Sequence, residues 1–379
     1  MKVLIVPSIY ITNYVNLKQI FLKEVIKNFF LLKLNRDKYN QIKSNLFFRM
    51  DQYYFSEFPS IIGKENTFIL GNYNEHYKKK KIPKYSRLPS LYNNKEATHI
   101  NLKDAISNLN SFDCLITGVR TNGVGEVLRN LAKKKGIFCV ILDTFDDLDV
   151  YKSDKDLDIL RIATRNLVFK KDFDLYLKHD VPLNFYNENI VPIAPVPIKI
   201  ENYPSLAKKS FEEKKNNIFF SGRLHENISP ERSQVSNFLS NEFNGVKILK
   251  YKEKTKLTVE GYCQILNDTK IAYSPSGKTW DSTRHSELAI YNCIPLIPYP
   301  NCRLADNFIL NDDNSISYKF IDQKINSFNL LKEKINFILN SKKIYDDIAA
   351  SWKKNIYENN SFLSKSKYIV DKIKNKLIG

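Results

Sequence analysis

Residues 190–204 read IVPIAPVPIKIENYP, four prolines in 15 positions. Proline fixes φ and lacks a backbone N–H, so such a stretch stops helices and central strands alike. It reads as a linker, and the same alternation of elements lies on both sides of it. Before it, apolar runs at Lys2–Pro7, Asn66–Leu70, Phe112–Thr117 and Ile137–Leu142 predict strands. Three-and-four apolar spacing predicts helices over Asn16–Leu34 and Glu126–Lys135, the second closed by Gly136. The polar, basic stretch 72–98 reads as a long loop. After the linker, predicted strands at Asn217–Phe220, Val246–Tyr251, Ile271–Tyr273 and Ile294–Ile297 alternate with helices at Ser233–Asn241, Thr258–Asp268 and Ser282–Tyr291. Helical segments near 328–340, 342–353 and 363–377 close the chain.

Strand, helix and strand in succession build a parallel sheet. The expectation is therefore an α/β chain with two parallel-sheet domains, over 1–190 and 206–362, joined by a linker at 191–205. A final helix over 363–379 is placed to cross back to the first domain. Ligands bind at the carboxyl ends of the strands in such sheets, which puts a site in the cleft between the domains.

Composition narrows the partners. A chain of 379 residues with 43% hydrophobic content can bury two cores. Its formal net charge of +18 favours anionic ligands. The densest basic run, Lys78-Lys79-Lys80-Lys81, reads as a solvated loop or as a contact with anionic lipid. No nucleic-acid-binding motif is present, so nucleic acid is not expected as a partner. Cys114, Cys139, Cys263, Cys293 and Cys302 form no CxxC pair and sit mostly in apolar runs, as buried reduced thiols do. Apolar runs stop at about ten residues, too short to span a membrane, and no signal peptide is visible. These features predict a cytoplasmic protein, at most peripheral at the inner face of the membrane.

The densest cluster of chemically useful residues runs from Tyr273 to Glu287 (YSPSGKTWDSTRHSE). It leaves a strand, crosses a loop rich in Ser, Pro and Gly, and enters a helix capped by Asp281 or Ser282. A loop feeding a helix N-terminus is an anion site, because free N–H groups and the helix dipole face the ligand. Lys278 and Arg284 add positive charge. Arg284 and Glu287, at i, i+3, share a helix face, and by themselves would equally suit a surface ion pair. His285 reads as a packed or surface residue.

The pattern Tyr273-Ser274-Pro275-x-Gly277, Asp281, Arg284, Glu287, then Cys293-Ile294-Pro295, resembles the donor-binding signature of GT-B glycosyltransferases of the exostosin-like and group 1-like kind. Ile218-Phe219-Phe220-Ser221-Gly222-Arg223 resembles the first strand and glycine turn of their C-terminal domain. Asn292 stands where the family usually has Gly, and also tolerates a left-handed conformation. The likeness covers about 215–300 closely and the first domain only in architecture.

The resemblance implies two Rossmann-like domains with parallel sheets facing a central cleft. It implies that a hexose or fucose moves from a nucleotide-sugar donor to a glycan or lipid-linked acceptor, as in surface polysaccharide biosynthesis. Arg223 and Arg284 would hold the diphosphate, Ser276 and Gly277 would offer it backbone N–H groups, and Lys278 and Asp281 would line the same loop. Glu287 would bind the ribose. No cofactor and no metal are expected. Retaining group 1 enzymes carry a further Glu at the position that Thr279 holds here, so the stereochemical outcome stays open.

The base for the acceptor hydroxyl should come from the first domain. Asp143 and Asp146, after the strand that ends at Leu142, are the candidates, with Asp147 and Arg120 as acceptor-binding residues. The same aspartates could instead cap a turn. Two other readings compete. Asp147 and Asp149 form a DxD that would hold a metal in a one-domain GT-A transferase. The basic, aromatic-rich composition would suit a nucleic-acid-binding protein without catalysis.

Overall fold

The computed structural model describes residues 1–7, 52–70, 97–118, 124–144, 173–222, 224, 230–250, 257–276, 280, 282–321, 324–325 and 327–378. Its first half is a sheet of seven parallel strands. In chain order these are β1 (Val3–Val6), β2 (Thr67–Leu70), β3 (Thr98–Ile100), β4 (Cys114–Gly118), β5 (Phe138–Asp143), β6 (Leu175–Lys178) and β8 (Ile190–Pro192), with the short β7 (Val181–Pro182) outside the sheet. They lie side by side as β3-β2-β1-β4-β5-β6-β8. β1 and β4 are buried along their length, and β5 from Cys139 onward. Strands covered on both faces read as continuous apolar runs, which is why these three were legible in the sequence.

The side chains of β1 alternate between two cores. Leu4 and Val6 pack with Leu128 and Ala132 of helix α4 (Val124–Lys134). Val3 and Ile5 face Tyr54 of α1 (Gln52–Phe55) and Phe58 of α2 (Phe58–Ile62). Gly136 follows α4 with φ +69°, the left-handed C-terminal position that glycine takes without strain. A short helix α3 (Leu102–Ser107), capped by Asn101, completes this half.

The second half is a sheet of five parallel strands in the order β10-β9-β11-β12-β14. These are β9 (Asn216–Gly222), β10 (Val246–Lys250), β11 (Thr269–Tyr273), β12 (Ile294–Pro298) and β14 (Ile316–Tyr318). The helices α5 (Pro230–Glu242), α6 (Val259–Asn267) and α7 (Thr283–Ile290) connect them. α8 (Phe328–Leu339), α9 (Lys342–Asn359) and α10 (Phe362–Ile378) follow. Thr258 caps α6 and Ser282 caps α7 through their side-chain oxygens. Asn292, in the turn from α7 to β12, adopts φ +50°, the left-handed conformation anticipated for it.

Two connections join the halves, and they are stitched to each other. The chain runs out from β8 past Ile198, and returns where α9 hands over to α10. Ile198 N–H donates to Asn360 O at 3.1 Å, and Phe362 N–H donates to Ile198 O at 3.0 Å. α10 then packs against α1 and α2, with Ser366 Oγ donating to Tyr54 O at 2.9 Å. A further antiparallel ribbon pairs β7 with β13 (Cys302–Arg303). The apolar cluster on the α1 side of the first sheet continues without a break through Trp280, Leu288 and Trp352 of the second half.

Several expectations need correction. The proline-rich stretch begins inside the first sheet, because Ile190–Pro192 is β8 and pairs with β6. Proline is tolerated there because β8 is an edge strand. Thr98, read as loop, opens the other edge strand, β3. Leu175–Lys178 carries no periodic signal over its four residues, yet it is a buried strand. The helix predicted over Asn16–Leu34 and the run Lys78–Lys81 lie outside the described residues. All five cysteines are buried and none is in a disulfide. No helix among the described residues is long and apolar enough to cross a membrane.

Candidate functional site

In the second sheet the chain order reverses between β9 and β11, with β10 on one side and β12 and β14 on the other. The crevice outside the carboxyl ends of the strands at such a switch point is where open α/β sheets bind ligands. Two helices enter the sheet layer beside it. α7 follows β11, and its first turn carries Arg284. Ser282 caps this turn by accepting from Arg284 N–H at 3.3 Å. The Arg284 guanidinium lies over the Phe220 ring of β9, 5.7 Å from its centroid. α5 opens with Pro230, Glu231 and Arg232. Arg232 Nε and Nη2 donate to Ser276 O at 3.2 and 2.5 Å.

The two arginines stand on the first turns of the helices that follow the neighbouring strands β9 and β11. Burial lowers the pKa of Arg232 from its usual value, and the positive charge of Arg284 is the next largest cause. Two guanidinium groups on the first turns of two helices, over the switch point of a parallel sheet, form a strongly anion-attracting site. Arg232 was missed in the sequence. Its only local signal is a proline opening a helix two residues earlier, and its partner Ser276 is far along the chain.

The rest of α7 faces the other way. His285 is fully buried. Its Nδ1 is 2.8 Å from Ser274 Oγ and its Nε2 is 2.9 Å from Trp280 O, which fixes it as a packing residue. Trp352 Nε1 donates to His285 O at 3.2 Å. Ser286 Oγ accepts from Asn360 Nδ2 at 2.8 Å. Glu287 is 1% exposed and accepts from Tyr203 Oη at 3.0 Å. The structure therefore brings Arg284 together with Arg232 and Ser276, and turns Glu287 toward the crossing between the two halves.

At the carboxyl edge of the first sheet, Asp143 ends β5 as expected. Its Oδ2 accepts from the Tyr176 hydroxyl and from Lys178 Nζ at 3.1 Å. Lys178 is fully buried and Asp143 is 7% exposed. This is the geometry of a buried ion pair tying β5 to β6. Next to it, His179 Nδ1 is 3.2 Å from Asp180 Oδ2, and both are fully buried. Tyr176 and Lys178 were missed, because the four buried residues of β6 carry no signal that separates them from loop. Arg120, Asp146, Asp147, Asp149, Arg223, Gly277, Lys278, Thr279 and Asp281 lie outside the described residues.

No protein-family model and no curated protein matches this chain. Solved structures do. The Anabaena protein Alr3699/HepE in complex with UDP aligns at 8% identity with a TM-score of 0.52, over 99% of this chain and 100% of that one. The lipopolysaccharide outer core galactosyltransferase WaaB in its apo form aligns at 11% identity with a TM-score of 0.51, over 99% and 100% of the two chains. At such identities the likeness is one of fold: the chain has the GT-B architecture, two Rossmann-like domains whose parallel sheets face a central cleft.

Proposed function

We propose that the chain is a glycosyltransferase moving a sugar, a hexose or fucose, from a nucleotide donor to a glycan or lipid-linked acceptor. The observation that supports this reading is the placement of Arg232 and Arg284 on the first turns of the two helices that follow β9 and β11, at the switch point of the second sheet of a GT-B fold. In the reaction an acceptor hydroxyl oxygen attacks the anomeric carbon. The bond from that carbon to the diphosphate oxygen breaks, and the hydroxyl proton passes to a base. Negative charge grows on the departing diphosphate, and fixed positive charge aimed at it is the largest expected source of acceleration. Two guanidinium groups can supply that charge, so this reading requires no metal; turnover that persists in EDTA is the expected outcome.

The remaining roles belong to the same proposal. Arg223, Ser276, Gly277, Lys278 and Asp281 would line the donor loop, and Glu287 would take the ribose hydroxyls once Tyr203 releases it. Asp143 or Asp146 would activate the acceptor, with Arg120 and Asp147 beside it. The setting would be surface polysaccharide assembly in the cytoplasm, with Lys78–Lys81 against anionic lipid. HepE was crystallised with UDP, so UDP is the first nucleotide to try.

The test is a thermal-unfolding screen of UDP, GDP, ADP and their sugar conjugates. A ligand that binds the native state raises its stability by mass action. One nucleoside diphosphate should raise the melting temperature of the wild type, and Arg284→Ala should abolish that shift. No shift with any nucleotide would overturn the proposal.

A further inference from the structure

A carboxylate stands next to Arg232 in the chain, where an anion site would be expected to exclude one. Glu231 directly precedes Arg232 in the first turn of α5 and is 7% exposed. The Tyr318 hydroxyl, at the end of β14, donates to Glu231 Oε1. That hydroxyl also lies 3.4 Å from the Tyr273 hydroxyl at the end of β11. Tyr318 thus stands between Tyr273 and Glu231 and links the ends of β11 and β14 to α5. Arg232, the next residue of α5, holds the Ser276 carbonyl. The tyrosine chain thus anchors α5 at Glu231, one residue before the arginine that grips Ser276. Burial raises the pKa of Glu231, while Tyr318, Arg232 and the Ser276 amide pull it back.

We propose that Glu231 and Tyr318 are positioning residues for the anion site. They fix the first turn of α5, and through Arg232 the Ser276 loop, so that the Arg232 guanidinium is held at the switch point before any ligand arrives. The inference rests on the proposed donor site and names a part of it that acts without touching the ligand. A buried, fully hydrogen-bonded network specifies one geometry, and preorganised charge is what favours a dianion.

The sign of the effect separates this role from a simpler one. If Glu231 were only a negative charge near an anion site, removing it would tighten anion binding. A brace predicts the reverse. Titration calorimetry with inorganic pyrophosphate and with UDP, on wild type, Tyr318→Phe, Glu231→Ala and Glu231→Gln, reads the difference. Tyr318→Phe and Glu231→Ala should each weaken both ligands about tenfold, the scale of one hydrogen bond to a charged group. Combining them should add little, because both act through the same contact. Glu231→Gln keeps the shape and should recover much of the affinity lost in Glu231→Ala. Folded variants that bind pyrophosphate as the wild type does, or more tightly, would overturn the inference. If Tyr318→Phe does not fold, the comparison of Glu231→Ala with Glu231→Gln decides alone. A wild type that binds neither ligand, nor any other nucleoside diphosphate, refutes the donor site itself and the brace with it.

Discussion

Tyr203 Oη donates to Glu287 Oε1 across 3.0 Å, with the tyrosine 6% and the glutamate 1% exposed. The contact joins the crossing between the two halves to α7, the helix that presents Arg284. Tyr291, at the far end of α7, makes a second tie by donating to Pro204 O at 2.9 Å. The two tyrosines fix α7 against the crossing at its middle and at its C-terminal end. Tyr203→Phe removes one hydroxyl and keeps the ring, and it takes one hydrogen bond from the buried Glu287 carboxylate. The expected cost is about 1.5–3 kcal/mol, the range for a hydrogen bond to a charged group. Urea unfolding of wild type and variant checks it, and identical midpoints would show that this contact carries no weight.

Lys214 reverses the charges: here a cation is placed where carbonyls accumulate. It is 4% exposed, and its Nζ donates to Asn267 O at 3.2 Å, Thr269 O at 2.9 Å and Tyr291 O at 2.9 Å. Asn267 ends α6 and Tyr291 caps the end of α7, so one ammonium serves the negative ends of two helices. Burial lowers its pKa, and its partners keep it in place. Lys214→Met fills similar volume and takes the ammonium from three buried acceptors, of which Thr269 O and Tyr291 O keep the weak Cys293 thiol as donor. We expect a loss of about 3 kcal/mol or more, since each unsatisfied buried acceptor costs about 1–3 kcal/mol. Denaturant titration is the measurement, and a loss below about 1 kcal/mol would mean that water replaces the ammonium.

At the other sheet, Asp143→Asn tests whether that carboxylate is a base or a structural tie. The ion pair with Lys178 at 3.1 Å favours the tie. Removing one member of a buried pair leaves an uncompensated charge and costs about 3–5 kcal/mol, whereas replacing both members with apolar residues is often neutral. Asp143→Asn should therefore unfold at lower urea, and Asp143→Leu with Lys178→Met should regain most of the difference. A base would behave otherwise: Asp143→Asn would keep wild-type stability and lose turnover.

What the sequence disclosed follows the range of the interactions involved. VLIV, CLIT and FCVIL reveal their strands because local burial on both faces dictates local composition. The cap Ser282 and the left-handed Asn292 were legible for the same local reason. The edge strands β3 and β8 are short and carry Thr, His or Pro, so nothing local marks them. The site divides in the same way. Arg284 was found because a strand, a loop and a helix N-terminus stand next to each other in the chain. Arg232 depends on Ser276, Glu231 on Tyr318, and Asp143 on Tyr176 and Lys178, with separations of 44, 87, 33 and 35 residues. Such pairings are made by sheet order, which no single window of sequence contains. Glu287 shows the reverse case: its helix face was read from spacing, yet the fold set Tyr203 against it.

The pH dependence of stability offers a last measurement, at Lys353. Burial is the main cause that lowers its pKa, followed by the hydrogen bond and the charge of Lys208, and the result is a value of about 8 in place of 10.5. The sign follows from proton counting. Between about pH 8 and 10.5 the folded protein has released this proton and the unfolded chain still holds it, so the unfolded state binds more protons and stability rises with pH. Other groups titrate in this window. Burial raises the thiols of Cys114 and Cys293, and they oppose the rise above their unperturbed value near 9. The readout is therefore a difference, the stability of wild type minus that of Lys353→Met, in which those groups cancel. It should grow steadily as urea midpoints are taken at pH 7.5, 8.5 and 9.5, spanning the region from about 8 upward. A difference that stays flat across that range would show that the folded protein does not lower the pKa of Lys353.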